Sequence, residues 1–389
     1  MTTDKTCRWG IIGTATIARK NWKAIWNSGN SRLVAVASRS AGRAHQFIDD
    51  CQALAPFDPA PRACGSYAEL LQRDDVDAVY IPLPTRIRKE WVIRAAHSGK
   101  HVLCEKPCGV NADDVREMLD ACRRNHVQFM DGVMFMHSAR LARVRDVLDD
   151  GASIGQLKRI ATQFTFRGGE EFFQQNIRAS SQLEPLGCLG DLGWYNLRFA
   201  LWVMNYQLPE RVSGHLLAQH GRPDSGLPVP IDFSGELFFP GGVSASFYCS
   251  FISEIQQWAN VSGTKGYLHV PDFVLPWFGS ELGFDVSTPV FDLRGCDFNM
   301  QSRTRRVAVA EYSNSFAPSQ EVNMIRNFAD LVLSGQVDDG WGEIALKTQQ
   351  VLDACLASAV DDNRGIAPEA AESILTAASR RGDSIPISR

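Results

Sequence analysis

What this sequence of 389 residues lacks narrows its class before any motif is read. It holds no uninterrupted apolar run of about 18 residues, the length a membrane-spanning helix needs. Its first residues are polar and lead into a short apolar segment ending at Ile12, so a secretory signal, with its longer apolar core, is not expected. Cytoplasmic residence is the expectation. An excess of one charge is missing too: 40 basic against 44 acidic side chains leave a formal net charge of −4. That gives no electrostatic reason to expect nucleic acid or a membrane surface as partner. The 10 cysteines include no C-x-x-C pair and no histidine at ligand spacing. No metal site is therefore expected, and the thiols read as small buried hydrophobes.

What is present is an ordinary globular composition, 44% hydrophobic and 22% charged, in a chain long enough for two or three domains. Short apolar runs at 9–12, 33–37, 78–83, 102–104 and 127–130 alternate with amphipathic stretches at 17–25, 43–51, 67–71, 89–97 and 113–124. Continuous apolar strands separated by helices are what a parallel sheet covered on both faces requires. Asn111 is placed to cap the last of these helices and Gly99 to end the one before. The expectation is an α/β chain whose residues 1–131 form a doubly wound, Rossmann-type domain.

From about residue 134 the texture changes. A helical stretch at 141–149 leads to strand-like runs at 159–166, 211–217, 233–239, 243–251 and 258–261, punctuated by Gly241-Gly242 and Gly263-Thr264-Lys265-Gly266. This predicts an α+β domain over 132–320 with a large, mostly antiparallel, open-faced sheet. Helices near 322–333 and 344–359 close the body within 321–363, and the tail 364–389 is expected to add one loosely attached helix.

Gly13-Thr14-Ala15-Thr16-Ile17-Ala18 follows the first strand and opens the first helix. It fits the dinucleotide fingerprint with Ala15 at the middle glycine, and the diphosphate would sit against the helix N-terminus. An ordinary strand–helix turn is the alternative. The second strand ends in Ser38-Arg39 with Arg43 nearby and no acid for a ribose hydroxyl, which favours NADP over NAD. Further on, Glu105-Lys106-Pro107 stand at the end of the fourth apolar run, the edge where such sheets bind ligands.

With Tyr80-Ile81-Pro82-Leu83-Pro84, Asp131 to His137 and Gly187 to Tyr195, the chain resembles the Gfo/Idh/MocA oxidoreductase family. Asp191-x-x-x-Tyr195 is similar to the glucose–fructose oxidoreductase and dihydrodiol dehydrogenase branch. The resemblance implies that Lys106 exchanges a proton with the substrate oxygen, that Tyr195 bonds the same oxygen, and that Asp191 orients substrate or tyrosine. Glu105 would meet the nicotinamide ribose, with Pro82 and Leu83 also lining the cofactor, and the bond before Pro107 would be cis. Each residue has a plainer alternative: Lys106 as a surface lysine, Tyr195 as core packing, Asp191 as a helix cap. His137 and Arg178 could contact substrate or serve structure. Arg88 departs from the family, standing where many relatives carry histidine, and so puts the substrate class in question.

The implied activity is hydride transfer between NAD(P) and a sugar, polyol or related cyclic alcohol or carbonyl. A cofactor-binding sensor without turnover, or an NAD-dependent glycoside-cleaving enzyme of the same fold, are the alternatives. An apolar open sheet face would need covering, so a homodimer or homotetramer through that sheet is expected.

Overall fold

The computed structural model describes residues 5–381. The chain forms two compact units. One holds the stretch up to His137 together with Leu183–Pro185 and Asn314–Gln349; the other holds Ser138–Gln182, Leu186–Ser313 and the chain from Gln350 onward.

The first unit alternates strand and helix: β1 (Cys7–Ile12), α1 (Thr16–Asn27), β2 (Ser31–Ala37), α2 (Ala41–Gln52), β3 (Arg62–Cys64), α3 (Tyr67–Leu71), β4 (Ala78–Ile81), α4 (Thr85–His97), β5 (His101–Cys104), α5 (Ala112–Arg124) and β6 (Phe129–Asp131). The strands pair in parallel in the order β3-β2-β1-β4-β5-β6, so the order reverses between β1 and β4. That reversal opens the crevice where doubly wound sheets bind nucleotides. β4 is buried along its whole length, as is all but the first residue of β5, which is why both read as unbroken apolar runs. Asn111 caps α5, its side chain accepting from the Asp114 N–H, as the sequence predicts.

In the second unit come α6 (Ala139–Asp149), β7 (Leu157–Thr165), α7 (Glu170–Gln175), α8 (Trp194–Val203) and nine further strands. These are β8 (Arg211–His220), β9 (Val229–Phe239), β10 (Val243–Ser250), β11 (Gln256–Gly263), β12 (Tyr267–Val270), β13 (Glu281–Ser287), β14 (Val290–Arg294), β15 (Asp297–Gln301) and β16 (Thr304–Ala310). Eight strands form one sheet in the order β16-β13-β12-β11-β7-β10-β9-β8, antiparallel except for the β7–β10 pair. Along β9 and β10 buried and half-exposed positions alternate, one face towards the core. The open face is not the apolar surface expected from sequence. It carries Arg159 paired with Glu236 and Ser244, Tyr248 bonded to Ser253, and Asn260 with His269. β14 and β15 form a separate hairpin whose Phe291, Leu293, Phe298 and Met300 are exposed.

Three helices follow, α9 (Gln320–Ser334), α10 (Gly340–Val360) and α11 (Ala371–Arg381). α9 belongs to the first unit, where Phe328 meets Trp9 with ring centroids 5.0 Å apart. The later part of α10 lies against β8 so closely that a Cβ on Gly214 would fall 2.0 Å from the Cys355 carbonyl oxygen. The helix expected in the tail is α11, docked through Ala371, Leu375 and Ala378 at helical spacing. Nine of the ten cysteines are buried, and Cys296 is exposed. Among the described residues no helix is long and apolar enough to cross a membrane.

Candidate active site

The cofactor end of the site is built by the turns after β1 and β2. Gly13 has φ +109°, a conformation glycine adopts freely, and a Cβ there would lie 2.9 Å from Leu83. The positive φ thus calls for glycine, and the Leu83 side chain packs over it. Ala15 occupies the N-cap of α1 and supplies no side-chain cap; Thr14 is half-buried, while Thr16 and Ile17 are exposed. The first turn of α1 therefore presents N–H groups and the positive end of the helix without an acidic side chain of its own, which suits a diphosphate.

Ser38 is buried and bonds through its N–H to the Cys64 carbonyl, tying β2 to β3. Ser40 caps α2 by accepting from the Arg43 N–H at 3.4 Å. Arg39 and Arg43, either side of that cap, are exposed, and neither guanidinium has an ion-pair partner among the described residues. Two unspent guanidiniums beside a helix N-terminus fit a phosphate monoester on the adenosine ribose.

At the other end of the crevice, β5 delivers Glu105, Lys106 and Pro107. Glu105 is 8% exposed and carries two bonds: its Oε1 accepts from the Tyr80 hydroxyl at 2.5 Å and its Oε2 from the Lys106 N–H at 3.2 Å. Tyr80 in turn accepts from the Asn21 amide of α1 at 2.7 Å. Burial and the neighbouring Glu105 push the Tyr80 phenol well above its ordinary range, so it stays a donor. A hydrogen-bonded chain thus runs from α1 to the residue before Lys106. Sequence reasoning missed Tyr80 and Asn21, although a tyrosine in a wholly buried strand signals that its hydroxyl has a partner. Lys106 is half-buried, and the Lys106–Pro107 bond is cis, as the resemblance implies. Burial pushes the Cys108 thiol far above its usual range, which keeps it a neutral core residue.

Arg88 does not present its donors as a substrate contact would. It is 3% exposed, with its guanidinium bonded to the Leu83 and Pro107 carbonyls and to Thr85 Oγ1. His137 is likewise enclosed, stacked on Trp341 at 4.7 Å and 3.1 Å from the Asn327 amide through Nδ1.

The second unit holds three of the remaining residues and brings two of them, Arg178 and Asp191, together. Leu189–Gly193 form a wide π-helical turn that runs into α8, so Asp191 and Tyr195 are not two positions of one regular α-helix. Such turns reset the direction of the side chains they carry. Asp191 forms an ion pair with Arg178 at 2.7 Å. Tyr195 is 6% exposed, its ring 5.7 Å from that of Phe164.

Comparison with known proteins agrees with these two units. Residues 7–133 match the model of an oxidoreductase family with an NAD-binding Rossmann fold, and residues 141–269 match the GFO/IDH/MocA C-terminal domain. Trans-1,2-dihydrobenzene-1,2-diol dehydrogenase of Bos taurus is 33% identical over 297 residues, covering 75% of this chain and 82% of that one. The dTDP-3,4-didehydro-2,6-dideoxy-alpha-D-glucose 3-reductase of Actinomadura kijaniata is 30% identical over 355 residues, 91% and 96% of the two chains. The crystal structure of KijD10, a 3-ketoreductase from the same organism in complex with NADP and TDP-benzene, superposes with a TM-score of 0.73 at 26% identity, covering 90% of this chain and 97% of that one. With the fingerprint turn, the reversed parallel sheet and the two matched domains, this chain belongs to the Gfo/Idh/MocA family of NAD(P)-dependent oxidoreductases.

Proposed function

We propose that this enzyme uses NADP to interconvert a secondary alcohol and a carbonyl on a sugar, polyol or cyclic diol, with Lys106 as its acid and base. The observation that carries the reading is the placement of Lys106. It leaves the carboxyl edge of β5 between Glu105, fixed by Tyr80 and by the Lys106 N–H, and Pro107, fixed by Arg88.

Bound cofactor would supply the hydride as NADPH in reduction and accept it as NADP+ in oxidation. Arg39 and Arg43 would hold the 2′-phosphate, the N-terminus of α1 the diphosphate, and Glu105 the nicotinamide ribose. When a carbonyl is reduced, Lys106 Nζ gives a proton to the substrate oxygen; in oxidation it takes that proton away. In the second unit, Tyr195 Oη would donate a hydrogen bond to substrate, and the Arg178–Asp191 pair would orient substrate or tyrosine.

The test follows absorbance at 340 nm with NADP or NADPH and a panel of trans-1,2-dihydrobenzene-1,2-diol, polyols, aldoses and ketosugars. A substrate-dependent change, larger with NADP(H) than with NAD(H), is expected. Tight NADPH binding with no turnover across the panel would instead mark a sensor, and glycoside cleavage without net absorbance change an elimination enzyme.

A further inference from the structure

The turn between β4 and α4 is put together unusually. Pro84 precedes α4 and offers no side-chain cap. Its place is taken by Glu184, whose carboxylate accepts from the Thr85 N–H at 3.0 Å and from Thr85 Oγ1 at 2.5 Å. A carboxylate there meets the positive end of the helix. One turn further on, Arg88 points back under the same loop. Its Nε donates to the Leu83 carbonyl at 3.0 Å and its Nη2 to the same oxygen; its Nη1 donates to the Pro107 carbonyl and, at 3.3 Å, to Thr85 Oγ1.

All three nitrogens of a buried cation are thus spent on two loops that follow neighbouring strands. Burying a guanidinium is costly, and only its rigid fork reaches two carbonyls at once. The carbonyl it holds on one side belongs to the residue that follows Lys106. We propose that Arg88 is a positioning residue for Lys106. Glu105 fastens the Lys106 N–H from one side and Arg88 fastens Pro107 from the other, so the lysine backbone cannot shift when substrate and cofactor exchange. The inference rests on the assignment of proton handling to Lys106.

The experiment compares the full-length wild type with Arg88→Ala, Arg88→Lys, Lys106→Met and the Arg88→Ala/Lys106→Met double variant, on a panel substrate that the wild type turns over. A displacement of about 1 Å can cost about 100-fold, so Arg88→Ala is expected to lower kcat by that order, with KM and the NADPH Kd within about threefold. Added guanidinium ion should restore part of the loss. Arg88→Lys, with the charge but no fork, should recover little. In the double variant the residual rate should match Lys106→Met to within about twofold, because Arg88 acts through the lysine. Independently of activity, amide exchange at Lys106 should rise about tenfold in Arg88→Ala while that at Val102 and Leu103 holds.

A raised KM with kcat intact would make Arg88 a substrate contact and overturn the inference. So would faster exchange throughout β5, or an additive loss in the double variant. Lys106→Met turning over at the wild-type rate would defeat the proton-handling assignment instead, and this inference with it. A wild type inactive on the whole panel would do the same.

Discussion

After β2 the chain leaves Arg39 and Arg43 on the surface with no ion-pair partner among the described residues, whereas after β4 it buries Arg88 and bonds it to backbone carbonyls and a hydroxyl. Both turns follow strands that flank β1 in the crevice-forming sheet, and both use the same side chain. What separates them is where the donors go. A guanidinium with open donors beside a helix N-terminus is a phosphate site in waiting. One whose donors are already satisfied inside the protein fixes backbone, and its effect on chemistry passes through what that backbone carries.

The comparison can be broken from either side. Arg39→Ala combined with Arg43→Ala should raise the NADPH Kd about 100-fold or more while leaving the NADH Kd nearly unchanged, since each charged bond to phosphate contributes about 1.5–3 kcal/mol. Equal losses for both cofactors, by fluorescence titration, would remove the 2′-phosphate assignment. Tyr195→Phe, which keeps the ring packing against Phe164, should lower kcat about 10- to 100-fold with little change in NADPH affinity. A wild-type kcat would return the tyrosine to a packing role. The smallest effect is expected at Tyr80. Tyr80→Phe leaves the Asn21 amide and Glu105 without their shared partner, a loss of about 1–3 kcal/mol in unfolding free energy, with NADPH affinity down only a few-fold. Unchanged stability in a denaturant titration would show that the chain from α1 to Glu105 adds nothing.

The parallel sheet was legible because its strands are buried on both faces, and unbroken runs such as Val102–Leu103–Cys104 leave little room for another reading. β3 escaped notice: it is three residues long and begins with the exposed Arg62. β13 was hidden by Gly283 and Asp285, which weaken a strand pattern. The Arg306 guanidinium lies over Gly283, 2.7 Å from where a Cβ would stand, a neighbour visible only in the fold. β16, at the sheet edge, carries exposed Arg305 and Arg306 and buries none of its residues fully, so Val307 and Val309 gave only a weak strand signal.

In the site, motifs found Gly13, Glu105 and Lys106 because those positions are fixed by local turns. They could not find Glu184, which reaches Thr85 from 99 residues away. Nor could they tell Arg88 from Arg39, since burial and donor satisfaction are tertiary facts. The ion pair of Arg178 with Asp191 was likewise invisible, although both residues were singled out separately.

In the proposed reaction one amine at the end of β5, Lys106 Nζ, handles the substrate proton. Lys106→Met tests it most directly, with hydride transfer and NADPH affinity measured on the same preparation. The transfer rate should fall about a thousandfold or more, with NADPH affinity within a few-fold of wild type. Transfer at close to the wild-type rate in that variant would contradict it.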